Sequence, residues 1–101
     1  MLFTRVLLPV DLSEVSSDQL DCALQLKGYG MEELVILYVM TLEPELPPED
    51  EIALESLGKR ARSSGILVKQ VVEKGKVSSN ILAVAEKERC SLIVMASSGK
   101  T

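Results

Sequence analysis

The chain has 101 residues, 47% of them hydrophobic and only 3% aromatic, which describes one domain with an aliphatic core that buries about 65% of its unfolded surface. A net charge of −4, with no stretch rich in Lys and Arg, argues against a reader of nucleic-acid phosphates. No run approaches the ~18 consecutive apolar residues of a membrane span, and the lack of histidine removes the commonest general base and metal ligand together.

The first segment, Val6 to Val10, is apolar and interrupted only by Pro9, near its end, where a missing ladder donor is tolerable. Pro9 and Asp11 break the run too early for a signal peptide, and no small-residue cleavage site follows, so a cytoplasmic chain is expected. Ser13 is a good N-cap for a helix starting at Glu14, with Ser16 to Gln19 as a rival cap one turn later. Leu20, Ala23, Leu24 and Lys27 form its stripe, and Gly28 and Gly30 end it.

Leu34 to Met40 is apolar without alternation, the pattern of a central parallel strand. Thr41 to Asp50, with Pro44, Pro47, Pro48 and several acids, reads as a solvated loop. A second helix is expected over Glu49 to Ser64, with Ala53, Leu57, Arg60, Ala61 and Ser64 on one face. The third strand, Ile66 to Val72, contains adjacent Lys69 and Gln70; polar residues on both faces mark an edge. Glu73 to Lys76 forms a turn. A third helix covers Val77 to Arg89, with Ile81, Leu82 and Ala85 inward, and Leu92 to Met95 closes the series. Cys22 and Cys90 lie within or beside periodic apolar stretches and read as buried thiols, not as a disulfide framework.

Alternating strands and helices imply an α/β fold with a parallel sheet and right-handed crossovers. Placing the third strand at an edge gives the order 3-2-1-4. The chain then reverses its direction of growth between strands one and four, and the loops Pro9–Ser13 and Ala96–Thr101 face each other across a crevice. Strand four becomes a second edge with no charge to protect it. Either a further strand or another subunit is expected to cover it.

Several residues in those loops suit ligand chemistry. Asp11 is placed to accept hydrogen bonds from ribose hydroxyls or an exocyclic amine, or else to serve as a carboxylate at a helix N-terminus. Ser97, Ser98 and the Gly99 amide are suited to a phosphate or sugar, or form an ordinary turn. Gly99-Lys100-Thr101 is not a phosphate loop of the G-x-x-x-x-G-K-[ST] type, because Val94 occupies the position of its first glycine. Ser13, Ser97 and Ser98 have no histidine to activate them, so no catalytic set is visible. Nothing is spaced for zinc.

Val6-Leu-Leu-Pro-Val-Asp-Leu-Ser-Glu14, Leu34-Val-Ile-Leu-Tyr-Val39, Asn80-Ile-Leu-Ala-Val-Ala-Glu86 and Ser91-Leu-Ile-Val-Met-Ala-Ser-Ser-Gly99 together resemble a universal stress protein domain. The resemblance implies a three-layer, Rossmann-like fold with five parallel strands in the order 3-2-1-4-5, dimerisation through the fifth strand, and ATP binding in one subgroup. Pro9, Val10 and Asp11 would meet the adenosine, and Val39 the adenine. Met95, Ala96, Ser98 and Gly99 would form the second wall and the start of a phosphate loop. The family's loop reads G-x-x-G and later G-[ST]; here Ala96 replaces the first glycine, Gly99 matches the second, and the later pair has no counterpart. The chain is therefore expected to be a single domain over residues 1–101, shortened at its C-terminus, without the last helix and fifth strand.

The resulting expectation is a stress-response domain that binds ATP, with Mg2+, or AMP between strands one and four. It is expected to form a homodimer or higher oligomer through strand four, with at most weak ATP hydrolysis and no nucleic-acid or membrane partner. The alternative is a dimerisation module of the same fold that binds no nucleotide. A nucleotide-hydrolysing enzyme of the same fold is disfavoured by the absence of an activated nucleophile.

Overall fold

The structure is a computed structural model that describes residues 4–13, 16–41 and 44–95. Four strands, β1 (Arg5–Val10), β2 (Glu33–Met40), β3 (Leu67–Lys74) and β4 (Leu92–Ile93), form one sheet in the order β3-β2-β1-β4. Every neighbouring pair is parallel, so each connection must cross over the sheet. The helices are α1 (Ser16–Leu24), continued by a 3₁₀ turn over Gln25–Tyr29, then α2 (Pro48–Ser63) and α3 (Val77–Lys87). The order expected from the sequence is the observed one.

The two faces of the sheet carry separate cores. Val6, Leu8 and Val10 of β1 and Leu34, Ile36, Tyr38 and Met40 of β2 pack with Leu20 and Ala23 of α1 and Leu54, Leu57 and Ala61 of α2. Leu7, Val35, Leu37 and Val39, offset by one residue, pack with Ile81 and Val84 of α3. This is the period-two alternation of a strand read from both sides. It places α1 and α2 in one layer and α3 in the other, as right-handed crossovers around a reversal between β1 and β4 require.

Several boundaries and faces differ from the expectation. The expected start of α1 at Glu14 lies outside the described residues; the described part begins at Ser16, whose amide donates to the Ser13 carbonyl at 3.1 Å. Helix α2 starts at Pro48, inside the expected loop, because proline at the first helical position gives up no needed donor. Its buried stripe is Leu54, Leu57, Gly58 and Ala61, whereas Arg60 is exposed. In α3 Ile81 and Val84 are buried and Leu82 is 67% exposed. Strand β3 runs on through Glu73 and Lys74, which pair with Val39 and Met40; an edge strand tolerates such polar residues on its open side. Cys22 is exposed, on the opposite side of α1 from Leu20 and Ala23. Cys90 is half-buried, and burial pushes its thiol pKa up.

Strand β4 shows the largest difference. It is two residues long and half-buried, not a long strand sealed on both faces. The ladder explains why. Arg5 and Leu7 accept hydrogen bonds from the Ser91 and Val94 amides at 2.7 and 2.9 Å, so the odd residues of β1 turn their backbone groups toward β4. The next odd residue is Pro9, which has no N–H to give. The β1–β4 ladder ends at Leu7 and Ile93, and the space beyond it opens.

Candidate functional site

That opening lies outside the carboxyl ends of the strands, at the point where strand order reverses, the usual ligand position in open α/β sheets. Two adjoining cavities occupy it. One, of about 240 Å³, is lined by Pro9, Val10, Asp11, Leu37, Tyr38, Val39, Thr41 and Val77. The other, of about 170 Å³ on the β4 side, is lined by Pro9, Val10, Asp11, Gln19, Val77, Ile81 and Met95. Pro9, Val10, Asp11 and Val77 are common to both and join them into one crevice.

The structure thus brings together five residues expected from the sequence: Pro9, Val10, Asp11, Val39 and Met95. Ala96, Ser98 and Gly99 lie outside the described residues. Sequence reasoning missed Gln19, Leu37, Tyr38, Thr41, Val77 and Ile81. Thr41 and Tyr38 adjoin Val39 at the end of β2 and were findable by the same end-of-strand rule. Val77 and Ile81 arrive with α3, whose first turn closes the crevice from the other layer. Neither carries a chemical signal in the sequence.

Asp11 sits where β1 leaves the sheet. Its Oδ1 accepts hydrogen bonds from the Ser13 amide at 2.9 Å and from the Ser16 hydroxyl at 3.2 Å. The Ser13 hydroxyl is the largest influence holding the Asp11 carboxyl below its ordinary range, against a smaller opposing effect of burial. The carboxylate is therefore ionised at neutral pH and tethers the β1–α1 connection. Leu12 between these residues has φ 62°, a left-handed conformation disfavoured for a side chain with a Cβ. The hydrogen bonds of Asp11 on either side of Leu12 hold the chain in that turn, and backbone strain of this kind gathers at ligand sites.

Apart from Gln19, Thr41 and the Tyr38 hydroxyl, the rest of the described lining is apolar. Among the described residues that line the crevice there is no Lys or Arg. A flat, weakly polar group fits the wall of Pro9, Val10, Leu37 and Val39 better than a charged one does. Asp11 is also the one carboxylate in this lining, and no group of three or more potential metal ligands occurs among the described residues. A separate cleft between α1 and α2, of about 250 Å³, contains Ser13, Ser16, Ser17, Ser56 and Arg60. Arg60 is already held there by Ser17 and by an ion pair with Asp21, so its charge is largely spent within the fold.

The comparisons with known proteins agree with this geometry. The model of the universal stress protein family matches residues 2–101, and the chain belongs to that family. Universal stress protein MJ0531 of Methanocaldococcus jannaschii is 26% identical over 115 aligned positions, covering 99% of this chain and 68% of that protein. The solved structure of the hypothetical protein MJ0577 superposes with a TM-score of 0.87 at 26% identity, covering 99% of this chain and 78% of that one. Two more distant structures share the fold. A universal stress family protein from Arabidopsis thaliana with AMP bound has a TM-score of 0.74 at 16% identity over 96% of this chain and 78% of its own. A universal stress protein in complex with cAMP has a TM-score of 0.72 at 18% identity over 92% and 71%. No helix among the described residues is long and apolar enough to cross a membrane.

Proposed function

We propose that this domain binds an adenine nucleotide in the crevice between β1 and β4 and that binding is linked to self-association. The carrying observation is the convergence of Pro9, Val10, Asp11, Val39 and Met95 on one opening at the switch point of the sheet. The AMP and cAMP complexes of proteins with the same fold support it. In this reading the base lies against Val10, Leu37 and Val39, and the sugar lies toward Asp11. Ala96, Ser98 and Gly99 would meet the phosphates through backbone N–H groups, which small residues leave accessible.

The lack of basic side chains in the described lining gives the reading a particular shape. Among the described residues binding energy comes from burying the nucleoside, and any grip on the phosphates falls to the backbone N–H groups of Ala96, Ser98 and Gly99. Mg2+ would accompany ATP through the phosphate oxygens, since no group of three or more potential metal ligands occurs among the described residues. Hydrolysis is at most weak, since none of the described lining residues is an activated nucleophile.

The unprotected edge of β4 is the proposed contact for a second copy, because an apolar strand edge invites pairing. The rival reading, a self-associating module that binds no nucleotide, draws on one observation: the Asp11 carboxylate is already engaged by Ser13 and Ser16. Isothermal titration with adenosine, AMP and ATP separates the two. Nucleotide binding predicts saturable heats with Kd below about 1 mM, and a flat trace for all three ligands supports the rival. Light scattering after size exclusion, with and without AMP, tests the linked association. A monomer under both conditions would remove that part of the proposal.

A further inference from the structure

In the cavity on the β4 side, five of the seven lining residues are apolar: Pro9, Val10, Val77, Ile81 and Met95. Of the two polar ones, Asp11 has its Oδ1 committed to Ser13 and Ser16. The other is Gln19, one turn into α1. Its residue is half-buried, yet its Oε1 is shielded from solvent and has no hydrogen-bond partner among the described residues. Buried carbonyl oxygens are nearly always paired, and an orphan one costs free energy. The last torsion of a glutamine side chain is broad and soft, so the amide turns at little cost toward whatever enters the cavity beside it.

We infer that Gln19 is a ligand-reading residue of this crevice, whose amide oxygen accepts a hydrogen bond from a ribose hydroxyl of the bound nucleoside. The inference rests on the nucleotide reading above and adds to it the part of the ligand that Gln19 meets. An amide oxygen needs a donor. Phosphate at neutral pH is almost entirely an acceptor, which leaves the exocyclic amine of the base and the sugar hydroxyls. The wider cavity, walled by Leu37, Tyr38 and Val39, takes the flat base and carries its amine away from α1. The sugar is left in the narrower cavity with Asp11 and Gln19. Its hydroxyls there meet two side-chain acceptors among the described lining residues: the Asp11 carboxylate, already engaged through Oδ1 by Ser13 and Ser16, and the Gln19 amide, whose Oε1 has no partner among the described residues.

The test compares wild type with Gln19→Met, which keeps length and removes both polar atoms, using adenosine, 2′-deoxyadenosine and 3′-deoxyadenosine as titrants. Wild type is expected to bind adenosine about fivefold to tenfold more tightly than the variant does, the scale of one net hydrogen bond. For one of the two deoxynucleosides that advantage disappears, which identifies the hydroxyl. Thermal unfolding of the ligand-free proteins should show the variant as stable as wild type or more so, because an unpaired buried oxygen has been removed. Equal adenosine affinity in the two proteins overturns the inference, as does an equal loss for adenosine and both deoxynucleosides. Should Gln19→Met fail to fold, Gln19→Ala is read by the same pattern across the three titrants. Failure of wild type itself to bind adenosine overturns the nucleotide reading instead, a result distinct from binding that ignores Gln19.

Discussion

The two ends of the sheet are built differently. At the amino end of the strands, Arg5 pairs with Glu33 at 3.0 Å and donates to the Glu88 carbonyl at 2.7 Å. Lys69 pairs with Glu88 at 2.9 Å, and the Ser91 amide and hydroxyl both bond the Arg5 carbonyl. These contacts cross-link β1, β2, β3 and the connection into β4. At the carboxyl end, Pro9 stops the ladder, Leu12 is strained, and the Gln19 oxygen has no partner among the described residues. One end spends its polar groups on holding the fold. The other keeps an apolar crevice open and leaves a polar group to be satisfied from outside, as a binding site must.

Substitutions along β2 test this division. Leu34 lies near the amino end and is fully buried, so Leu34→Ala should cost about 2–5 kcal/mol in denaturant unfolding. The folded fraction of that variant should keep its nucleotide affinity. Val39, at the crevice, behaves differently. Val39→Ala removes two buried methyl groups, about 1.5 kcal/mol at ~0.8 kcal/mol each, and should weaken AMP binding in titration as well. If Leu34→Ala rather than Val39→Ala lost affinity, the separation of roles would fail.

Arg5→Ala should cost about 1 kcal/mol of stability, since its ion pair is partly exposed and screened, with AMP affinity unchanged. The smallest effect concerns acid. Asp11 is ionised more readily in the folded state than in the unfolded chain. Its contribution is therefore complete above the ordinary value of 3.8 and is lost as pH falls through the lowered folded value. The stability difference between wild type and Asp11→Asn should shrink as pH drops through that window. A difference that stays constant there would mean that the Ser13 and Ser16 hydrogen bonds do not favour the ionised form.

The strand order was legible because Lys69 and Gln70 mark β3 as an edge while Leu34 to Met40 is uniformly apolar. Half of the crevice was legible too, since Pro9, Val10, Asp11 and Val39 lie at strand ends, where topology alone places ligands. Helix faces were harder to read. In α3 both Leu82 and Val84 are apolar and within one turn of Ile81, and only packing against Leu37 and Val39 selects Val84. In α2 a stripe through Ala53 and one through Leu54 differ by a single residue, about 100° of rotation. The short β4 depends on which way the Pro9 backbone nitrogen faces. That direction is a property of the ladder and not of the residue. Gln19 stayed hidden because a glutamine in the first turns of a helix ordinarily faces water.

Amide chemical-shift mapping with AMP tests the central claim most directly, because it reports on both ends of the sheet at once. The account predicts saturable shifts at Val10, Asp11, Gln19, Val39, Thr41 and Val77, with Arg5, Glu33, Lys69 and Glu88 unmoved. Shifts centred on the Arg5–Glu88 end, or none at any residue under saturating AMP, would contradict it.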